Sequence, residues 1–514
     1  MSSLTLRGIR KFFAGTPVLH GIDLDVRDGE FVVFVGPSGC GKSTFLHILG
    51  GFEPHTSGEL LVGGKPVTAP GPDRGVVFQE YALYPWRSVE GNITWGLEVQ
   101  GVPKAERTAI AERLLAKVGL TQFRNHYPAE LSGGMKQRVA IARTLAFDPR
   151  ILLLDEPFGA LDAQNRELMQ EELQTIWQDA RKTAVFITHD IDEAVYLADR
   201  VIVFTARPGR AKADIRIELP RPRAIEIKKS SEYAAYRNQI WDLLRDEVYG
   251  RERRMREPMK RSSRALLGLL LPVLLIGWWE MQGRAGRLPD YLPPPSLFMR
   301  EWLSMAADGS LLGHALVSVW RAMAGFVIGA TCGALAGLMA AAVRPVENFY
   351  EPIIALTYPI PKIAALPIVF AWFGLGDLAK IVIICVSVFY PLYVATLSGA
   401  RATPRAQIWA ARNMGASPMR IILGVLLPSA LPQLFDGLRI GLALSFVVMF
   451  VAEMVSSNVG LGYLIVFAEN NHRFDLMFVA IATIGMIGFV ADRLLLLVRN
   501  RLLVGQLAHT EFRH

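Results

Sequence analysis

The chain has 514 residues, of which 51% are hydrophobic and 20% charged, and its formal net charge is +8. This length exceeds that of one average domain, and the hydrophobic share is high for a soluble enzyme. Residues 1 to 255 mix charged and apolar residues as a globular protein does, whereas long apolar blocks alternate with short loops from Ala265 onward. The composition therefore excludes a soluble protein with a single domain.

The basic residues are concentrated just before the first apolar block. Seven of the fourteen residues 251–264 are Lys or Arg. This placement is typical of the cytoplasmic flank of a membrane segment, so we expect no nucleic-acid partner. The N-terminus lacks the apolar core of a secretory signal, and the three cysteines are scattered through the chain. We therefore expect the first half to be cytoplasmic and to have no disulfide framework.

A phosphate-binding loop is indicated by FVVFVGPSGCGKST, residues 31–44. An apolar run typical of a strand, residues 31–35, is followed by glycines and then by a helical pattern from Lys42. Glycines let backbone N–H groups converge on a phosphate, and the helix N-terminus adds the positive end of its dipole. We expect Lys42 to reach the β- and γ-phosphates and the Ser43 hydroxyl to bind Mg²⁺. The predicted nucleotide-binding residues of this loop are Gly36, Ser38, Gly39, Cys40, Gly41, Lys42, Ser43 and Thr44.

Two adjacent carboxylates end the apolar run in RILLLDEPFGALD, residues 150–162. A strand with apolar residues on both faces belongs inside a parallel sheet, and such sheets bind ligands at the carboxyl ends of their strands. We expect Asp155 to hold Mg²⁺ through water and Glu156 to polarise the attacking water. The alternative, a pair of acids at a helix N-terminus, is less consistent with the phosphate loop upstream.

A second anion-binding helix start is predicted at Ser132, Gly133 and Gly134, in LSGGMKQRVAIARTLA. One active site needs only one phosphate cradle. The additional one suggests that two copies of the domain face each other, each completing the nucleotide site of the other.

Together these motifs resemble the ATP-binding-cassette (ABC) ATPases, and the resemblance covers the whole first half. It implies an α/β P-loop fold that binds ATP and Mg²⁺ and hydrolyses ATP. By this resemblance Gln79 contacts Mg²⁺ and water, His189 clamps the γ-phosphate, and Asp162 faces the dimer interface. Phe13 matches the aromatic residue that stacks on adenine, with the adjacent Phe12 as the alternative.

The signature at residues 132–134 matches the family segment that closes over ATP bound by the opposite subunit. The fullest family signature continues with Gln, whereas this chain has Met135. Because the serine and glycine amides contact the phosphate, we expect Met135 to be tolerated.

A C-terminal extension, residues 206–255, follows the ATPase core, which we place at about residues 1–205. Residues 232–248 read as an amphipathic helix with Tyr233, Tyr236, Ile240 and Leu244 on one face. We expect that face to pack on the ATPase. A basic linker, 256–264, then leads to a membrane domain at 265–514.

The membrane domain is predicted to be all-α, with about six helices. The apolar segments lie near 265–282, 322–343, 352–373, 378–400, 434–456 and 476–498. Six crossings from a cytoplasmic linker return the C-terminus to the cytoplasm, in agreement with the basic cluster from Arg401 to Arg420. The third segment contains Pro359, Pro361, Pro367 and Lys362, and is either a broken helix lining an aqueous cavity or a bend at the membrane interface. Glu453 either faces the pathway or caps a helix end.

A polar hinge, NMGASPMRIILGVLLP at residues 413–428, lies in the loop 401–433 between two spans. We expect a helix to end at Gly415, a residue that adopts positive φ readily, and a second helix to begin at Ser417 with Pro418 in its first turn. We expect Pro428 to interrupt that second helix. The segment is predicted to be a rigid element that seats in a groove of another domain.

This loop resembles the "EAA" coupling loop of ABC importers, with Ala410, Ala411, Gly415, Leu427 and Pro428 matching. Trp409 replaces the family's glutamate. We call residues 401–433 the coupling loop and take Ala411, Gly415 and Pro428 as its marker residues.

Residues 285–500 resemble permeases of the nitrate, sulfonate and taurine branch. The resemblance implies ATP-driven import of a small solute, an anion such as nitrate, taurine or another sulfonate, across the bacterial inner membrane by alternating access. It also implies a homodimer and a separate periplasmic or lipid-anchored substrate-binding protein. The alternatives are an exporter with an N-terminal cassette and six spans, and an ATPase that transmits force to envelope lipids or lipoproteins, which would need a large external domain.

Overall fold

The structure is a computed structural model that describes residues 3–159, 161, 163–180, 182–248, 270–289, 291–357 and 359–503. These residues divide into two compact units. The first contains those of Met1–Arg254 and Thr403–Val425, and the second those of Met255–Ala402 and Leu426–Leu503. The basic linker, Asp162 and the start of the first apolar segment lie outside the described residues, and the predicted domain limits at 255 and 264 stay predictions.

Two β-sheets organise the first unit. Its strands are β1 (Leu4–Phe13), β2 (Thr16–Val26), β3 (Phe31–Val35), β4 (Ser57–Val62), β5 (Lys65–Pro66), β6 (Arg74–Val77), β7 (Ile151–Asp155), β8 (Thr183–Thr188), β9 (Arg200–Phe204) and β10 (Ala211–Arg216). A four-stranded antiparallel sheet has the order β2-β1-β4-β5, and a six-stranded sheet the order β10-β9-β3-β8-β7-β6. All pairs of the larger sheet are parallel except β10 with β9. Every residue of β3, β7 and β8 is buried, which explains why their sequences are apolar without alternation.

Eighteen α-helices occur in the described residues. They are α1 (Lys42–Leu49), α2 (Val89–Val99), α3 (Lys104–Lys117), α4 (Gly133–Ala146), α5 (Ala163–Ala180), α6 (Ile191–Leu197), α7 (Ser231–Val248), α8 (Leu270–Arg284), α9 (Pro295–Ala307), α10 (Ser310–Ala342), α11 (Arg344–Thr357), α12 (Leu366–Phe373), α13 (Asp377–Arg401), α14 (Arg405–Asn413), α15 (Pro418–Ile421), α16 (Leu427–Val455), α17 (Leu461–Asn470) and α18 (Phe474–Leu502).

Helix α7 confirms the predicted amphipathic helix of the C-terminal extension. Tyr233, Ile240 and Leu244 are buried in the main core of the first unit, and Tyr236 packs partly buried against it. The apolar face of α7 therefore extends the ATPase core, as expected for a helix with a hydrophobic stripe.

Among the described residues, four helices are long and apolar enough to cross a membrane: α10, α13, the helical run Pro418–Val455, and α18. They correspond to the segments predicted near 322–343, 378–400, 434–456 and 476–498. A fifth span results if the pair α11 and 362–373, bent by 89°, is counted as one. The helices extend beyond the apolar segments because backbone hydrogen bonding continues into polar residues at their ends. The segment predicted near 265–282 is described only from Leu270, in α8.

The bend in the third segment follows its prolines, as predicted. Lys362 follows the break as the first residue of the second helix, and its ammonium group donates to the carbonyl oxygens of Thr357 and Ile360 and lies 4.2 Å from the centre of the Tyr390 ring. A cation thus donates to two carbonyl oxygens beside the break, in addition to the hydrogen bond of 3.2 Å that the Thr357 carbonyl accepts from the Ile360 N–H.

The expectation that Pro428 interrupts its helix is wrong. The helix that begins at Pro418 passes through a π-helical turn, Ile422–Leu426, and continues as α16. A π-helical turn widens the backbone spiral, so the proline ring and its missing N–H are accommodated without a break. The π-turn immediately before Pro428 thus replaces the predicted interruption.

Glu453 caps a helix end. Its carboxylate is fully buried and accepts hydrogen bonds from Ser318, Arg321 and the backbone N–H of Gly462, in the first turn of α17. Arg321 also donates to Asp377 at the start of α13. A buried carboxylate with this many donors is satisfied, which supports the capping interpretation.

Glycines determine how closely α10 and α13 pack. Gly325, Gly329, Gly333 and Gly337 recur every four residues along α10. A methyl group added at Gly329, Gly333 or Gly337 would lie 2.4 to 2.6 Å from a carbonyl oxygen of α13. Small residues at this spacing let two membrane helices approach to backbone contact.

We predict that Gly333→Ala destabilises the protein. The new methyl group would lie 2.5 Å from the Phe389 carbonyl oxygen, so the helices must separate. Overpacking of this kind costs about 1–3 kcal/mol, which should lower the melting temperature of the detergent-solubilised chain by several degrees. Gly485→Ala in α18, where the methyl group meets no atom within 4 Å, is the matched control. Equal melting temperatures for the two variants would contradict the prediction.

Candidate nucleotide site and coupling loop

Four neighbouring strands of the six-stranded sheet bring the predicted ATPase residues to one edge. The phosphate loop follows β3, Asp155 ends β7, His189 follows β8, and Gln79 lies two residues after β6. These strands are parallel neighbours, so their carboxyl ends meet at the same edge of the sheet. The fold thus assembles the residues that the sequence motifs predicted separately.

The phosphate loop needs its glycines for conformation and for space. Gly39 and Gly41 have φ angles of +79° and +104°, a region that favours glycine. Side chains at Gly36 and Gly41 would also come within 3.0 Å of Phe204 and Leu19. The loop ends at Lys42, the first residue of α1, so the N-terminus of that helix faces the loop.

The Ser43 hydroxyl and the Asp155 carboxylate lie together, with Oγ donating to Oδ1 over 3.1 Å. Burial raises the pKa of Asp155 to about 6, although the hydrogen bond from Ser43 acts in the opposite direction. A buried carboxylate next to a hydroxyl is a pair of oxygen ligands of the kind that Mg²⁺ prefers, and a cation there would favour the ionised carboxylate. The residues therefore fit the Mg²⁺ site expected from the sequence.

The Lys42 side chain is buried, and its ammonium group donates to the carbonyl oxygens of Gly36 and Pro37 at 2.7 and 3.1 Å. It also lies 3.9 Å from the sulfur of Cys40, whose pKa is raised by burial. Ser38 and Gly39 are exposed at the tip of the loop, and Thr44 lies partly buried in the first turn of α1.

Glu156 and His189 form a pair at the same edge. His189 Nδ1 lies 3.1 Å from Glu156 Oε2. This hydrogen bond lowers the pKa of Glu156 and raises the pKa of His189. Glu156 has a φ of +41°, which is unusual for a residue with a side chain and is the kind of strain found at functional sites. An ionised carboxylate is thereby held in a specific orientation.

The signature behaves as a helix start. Ser132 is the N-cap of α4, and its hydroxyl accepts a hydrogen bond of 3.4 Å from the backbone N–H of Met135. Gly133 and Gly134 form the first turn, and Met135 packs partly buried against the core. The methionine therefore contributes to packing, while the exposed serine and the glycines present the N-terminus of the helix.

Arg143, on the buried face of α4, holds the loop after Gln79. Its guanidinium donates to the carbonyl oxygens of Ala82 and Tyr81 at 2.6 and 3.0 Å. Tyr81 and Ala82 both have positive φ, so this loop is bent sharply. Gln79 itself is exposed and lines a cavity of about 450 Å³ together with Lys136 and Gln407. The loop after Gln79 is thus tied to the signature helix and borders the coupling loop.

The coupling loop has the caps that its sequence predicts. Gly415 has a φ of +83°, and the N–H groups of Gly415 and Ala416 donate to the carbonyls of Arg412 and Ala411. These two bonds form a Schellman motif that ends α14. Ser417 is the N-cap of α15 and accepts from the N–H of Arg420, while Pro418 occupies the first position.

Asn413 joins the coupling loop to the edge strand β6. Its side-chain oxygen accepts from the N–H of Val76 at 3.2 Å, and its amide group donates to the carbonyls of Arg74 and Gly71. The side chain is buried. Asn413 therefore provides partners for three backbone groups at the edge of the ATPase sheet, as a neighbouring strand would.

Further contacts surround this one. Gln407 donates to the carbonyl oxygen of Leu83 at 3.0 Å, and the Tyr84 hydroxyl donates to the carbonyl oxygen of Gln407 at 3.2 Å. Arg420 donates to the carbonyl oxygen of Val99, at the end of α2. The groove that holds the coupling loop is thus formed by β6, α2 and the loop after Gln79.

Sequence reasoning missed Asn413, Gln407 and Arg143 as functional candidates. The only signal was that each is a polar residue in a helical pattern with apolar neighbours, which does not identify a partner. Phe12 and Phe13 are both exposed, at 37% and 45%, so both rings are accessible to a nucleotide base.

Comparison with known proteins assigns both halves. Residues 19–159 match the family model of the ABC transporter, and residues 333–504 match that of the binding-protein-dependent transport system inner membrane component. An uncharacterized ABC transporter ATP-binding protein of Methanocaldococcus jannaschii is 55% identical over 230 residues, which cover 45% of this chain and 85% of that protein.

Two relatives with named functions are similar over the same half. The nitrate import ATP-binding protein of Synechocystis is 46% identical over 252 residues, covering 47% of this chain and 95% of that protein. The bicarbonate transport ATP-binding protein of Synechococcus elongatus is 47% identical over 242 residues, covering 46% of this chain and 36% of that protein.

The chain is accordingly a multi-pass membrane protein with an ATP-hydrolysing domain, and its permease match supports import rather than export. It belongs to the ABC transporter family, as an importer in which the ATP-binding cassette is fused to a binding-protein-dependent permease.

Proposed function

We propose that this protein imports a small inorganic or sulfonate anion across the bacterial inner membrane as a homodimer, with the cassette on the cytoplasmic side. The observation that carries the proposal is the seating of the coupling loop on the cassette, with Asn413 on β6 and Gln407 beside Gln79. A permease loop held in this way connects ATP binding to movement of the membrane helices.

Residues at the edge of the six-stranded sheet would bind the nucleotide and activate the attacking water. Lys42 and the glycine amides bind the phosphates, and Ser43 and Asp155 hold Mg²⁺, which would neutralise charge on the phosphates. Glu156, kept ionised by its hydrogen bond with His189, orients a water for attack on the γ-phosphate. Gln79 contacts that water, and Phe13 stacks on the adenine.

The second anion-binding helix start, at Ser132, supports the dimer. We infer that Ser132, Gly133 and Gly134 of one protomer close over the ATP of its partner, with Asp162 at the same interface. Binding of ATP then brings the two cassettes together, the coupling loops move with them, and the membrane domains change from inward-open to outward-open. A separate periplasmic or lipid-anchored binding protein delivers the solute to the outward-open state.

The substrate class is supported by relatives named for nitrate and bicarbonate. Uptake of labelled nitrate, bicarbonate and taurine is to be compared in cells of the source organism that carry either the native chain or its Glu156→Gln variant. We expect uptake of one anion to depend on the native chain. If none of the three differs between the strains, the anion proposal is wrong, and if the anion instead leaves the cells, import is wrong.

Glu156→Gln should also stop ATP turnover and retain bound ATP, because the amide cannot accept the proton of the attacking water. Loss of a general base reduces turnover by about 10²-fold or more. Steady-state hydrolysis and retained labelled ATP are to be measured with the purified chain, with Glu106→Gln, on the exposed side of α3, as the control. Normal steady-state hydrolysis would rule out the role given to Glu156.

Gly415→Val should uncouple hydrolysis from uptake. A side chain at this position meets no atom within 4 Å, so the effect comes from backbone strain at a φ of +83°. A β-branched residue there costs roughly 1–2 kcal/mol, whereas Asn tolerates this conformation better. We therefore expect low uptake with intact ATP binding for Gly415→Val and near-normal uptake for Gly415→Asn. Equal uptake by the two variants would argue against the role of Gly415.

Asn413→Asp should weaken the seating of the coupling loop. The substitution preserves shape but removes the amide donor, so the carbonyls of Gly71 and Arg74 lose a partner and face a carboxylate. An unsatisfied buried group costs about 1–3 kcal/mol, so uptake should fall roughly tenfold or more while ATP binding persists. Asn500→Asp, exposed at the end of α18, provides the control. Uptake unchanged by Asn413→Asp would show that the amide bonds do not matter.

A further inference from the structure

Trp409, which stands where the family has a glutamate, contacts three rings of the cassette. The centre of its indole lies 4.7 Å from that of His47, 5.4 Å from that of Phe52 and 6.3 Å from that of Phe78. The contact with Phe52 is stacked, and that with His47 is edge-on. We call Trp409, His47, Phe52 and Phe78 the aromatic box.

The box is an aromatic contact at the position where the family has a glutamate. Phe52 and Phe78 also contact each other, with ring centres 5.6 Å apart, so the indole lies against a pair of rings that pack on one another. Ring pairs of this kind stabilise beyond their buried area and, unlike a partly exposed ion pair, are little affected by salt.

The cassette members of the box come from functional segments. His47 lies on α1, the helix that begins at the phosphate loop, and Phe52 follows that helix. Phe78 directly precedes Gln79. Trp409 therefore contacts both the phosphate-loop helix and the start of the loop that carries Gln79.

His47 lies between the indole and the proposed Mg²⁺ ligand. Its Nε2 is 4.0 Å from Asp155 Oδ2, and the other carboxylate oxygen accepts the hydrogen bond from Ser43. Asp155 is 4% exposed, so protein groups rather than solvent surround its carboxylate. The imidazole thus forms one wall of the space that the carboxylate occupies.

From this geometry we propose that Trp409 positions the Asp155 carboxylate through His47, so that the seating of the coupling loop determines how well the nucleotide site holds Mg²⁺. Trp409 and His47 are positioning residues, because neither contacts the nucleotide. The inference rests on the proposed function, in which Ser43 and Asp155 hold the metal. It deepens that function by giving the coupling loop a direct effect on the metal end of the site.

The test separates binding of the nucleotide from binding of the metal. Affinity of the full-length purified chain for fluorescent ADP is measured with Mg²⁺ and again with EDTA. We expect Trp409→Ala to weaken binding roughly three- to tenfold with Mg²⁺ and to leave binding with EDTA unchanged. Trp409→Phe, which retains a stacking ring, should restore most of the loss. Trp241→Ala, at a 50% exposed tryptophan on α7, is the matched control.

A double-mutant cycle tests the path through His47. His47→Ala should produce the same Mg²⁺-dependent loss as Trp409→Ala, and the double variant should add little to either, since both interrupt one path. If Trp409→Ala does not yield folded protein, Trp409→Phe and His47→Ala still provide the comparison. Additive effects of the two alanine variants would overturn the path through His47.

Two further results distinguish failure of this inference from failure of the proposed function. If Trp409→Ala reduces uptake but changes ADP affinity equally with Mg²⁺ and with EDTA, Trp409 only docks the loop, and the inference fails while the proposed function stands. If the native chain binds ADP equally well with Mg²⁺ and with EDTA, the Mg²⁺ site is wrong, and both fail.

Discussion

A strand at the edge of a sheet has backbone N–H and C=O groups that no neighbouring strand pairs with. The partners that these groups of β6 find determine where the coupling loop lies in the first unit. β6 ends the six-stranded sheet, so within the part of the chain that the structure describes one of its sides has no neighbouring strand. Asn413 supplies a donor and an acceptor from a segment more than 300 residues away in sequence. Because buried N–H and C=O groups are rarely left unpaired, this requirement selects an amide side chain and fixes the position of the helix that carries it. Gln407, Trp409 and Arg420 then meet their own partners on the same groove.

The same strand leads into Phe78 and Gln79, so the coupling loop and the nucleotide site share one element. Arg143 connects the bend after Gln79 to the signature helix α4. A displacement of the coupling loop therefore acts on backbone that is bonded to the signature helix as well as on the aromatic box. In the proposed cycle, movement of the cassette reaches the coupling loop through these groups.

The sequence predicted the elements whose cause is local. The strand before the phosphate loop, the cap at Ser132, the glycine stop at Gly415 and the Ser417 restart each depend on a few adjacent residues, and the structure confirms them. The partners of Asn413 and Arg143 depend on pairing between distant segments, which no local pattern specifies. The prediction that Pro428 interrupts its helix was wrong for a related reason. A proline ends a helix unless the preceding turn widens, and a π-turn has no clear sequence signature. The roles of the nucleotide-site residues stay predictions that the geometry supports.

The four glycines along α10 limit how α10 and α13 can move relative to each other. At Gly329, Gly333 and Gly337 the backbone of α13 and the Cβ atoms of its side chains lie directly against α10, which leaves little space for the helices to slide. In the proposed cycle we therefore expect α10 and α13 to move together, so that the membrane domain opens and closes at other helix contacts. The four glycines thus mark a pair of helices that would keep its packing while the rest of the domain rearranges.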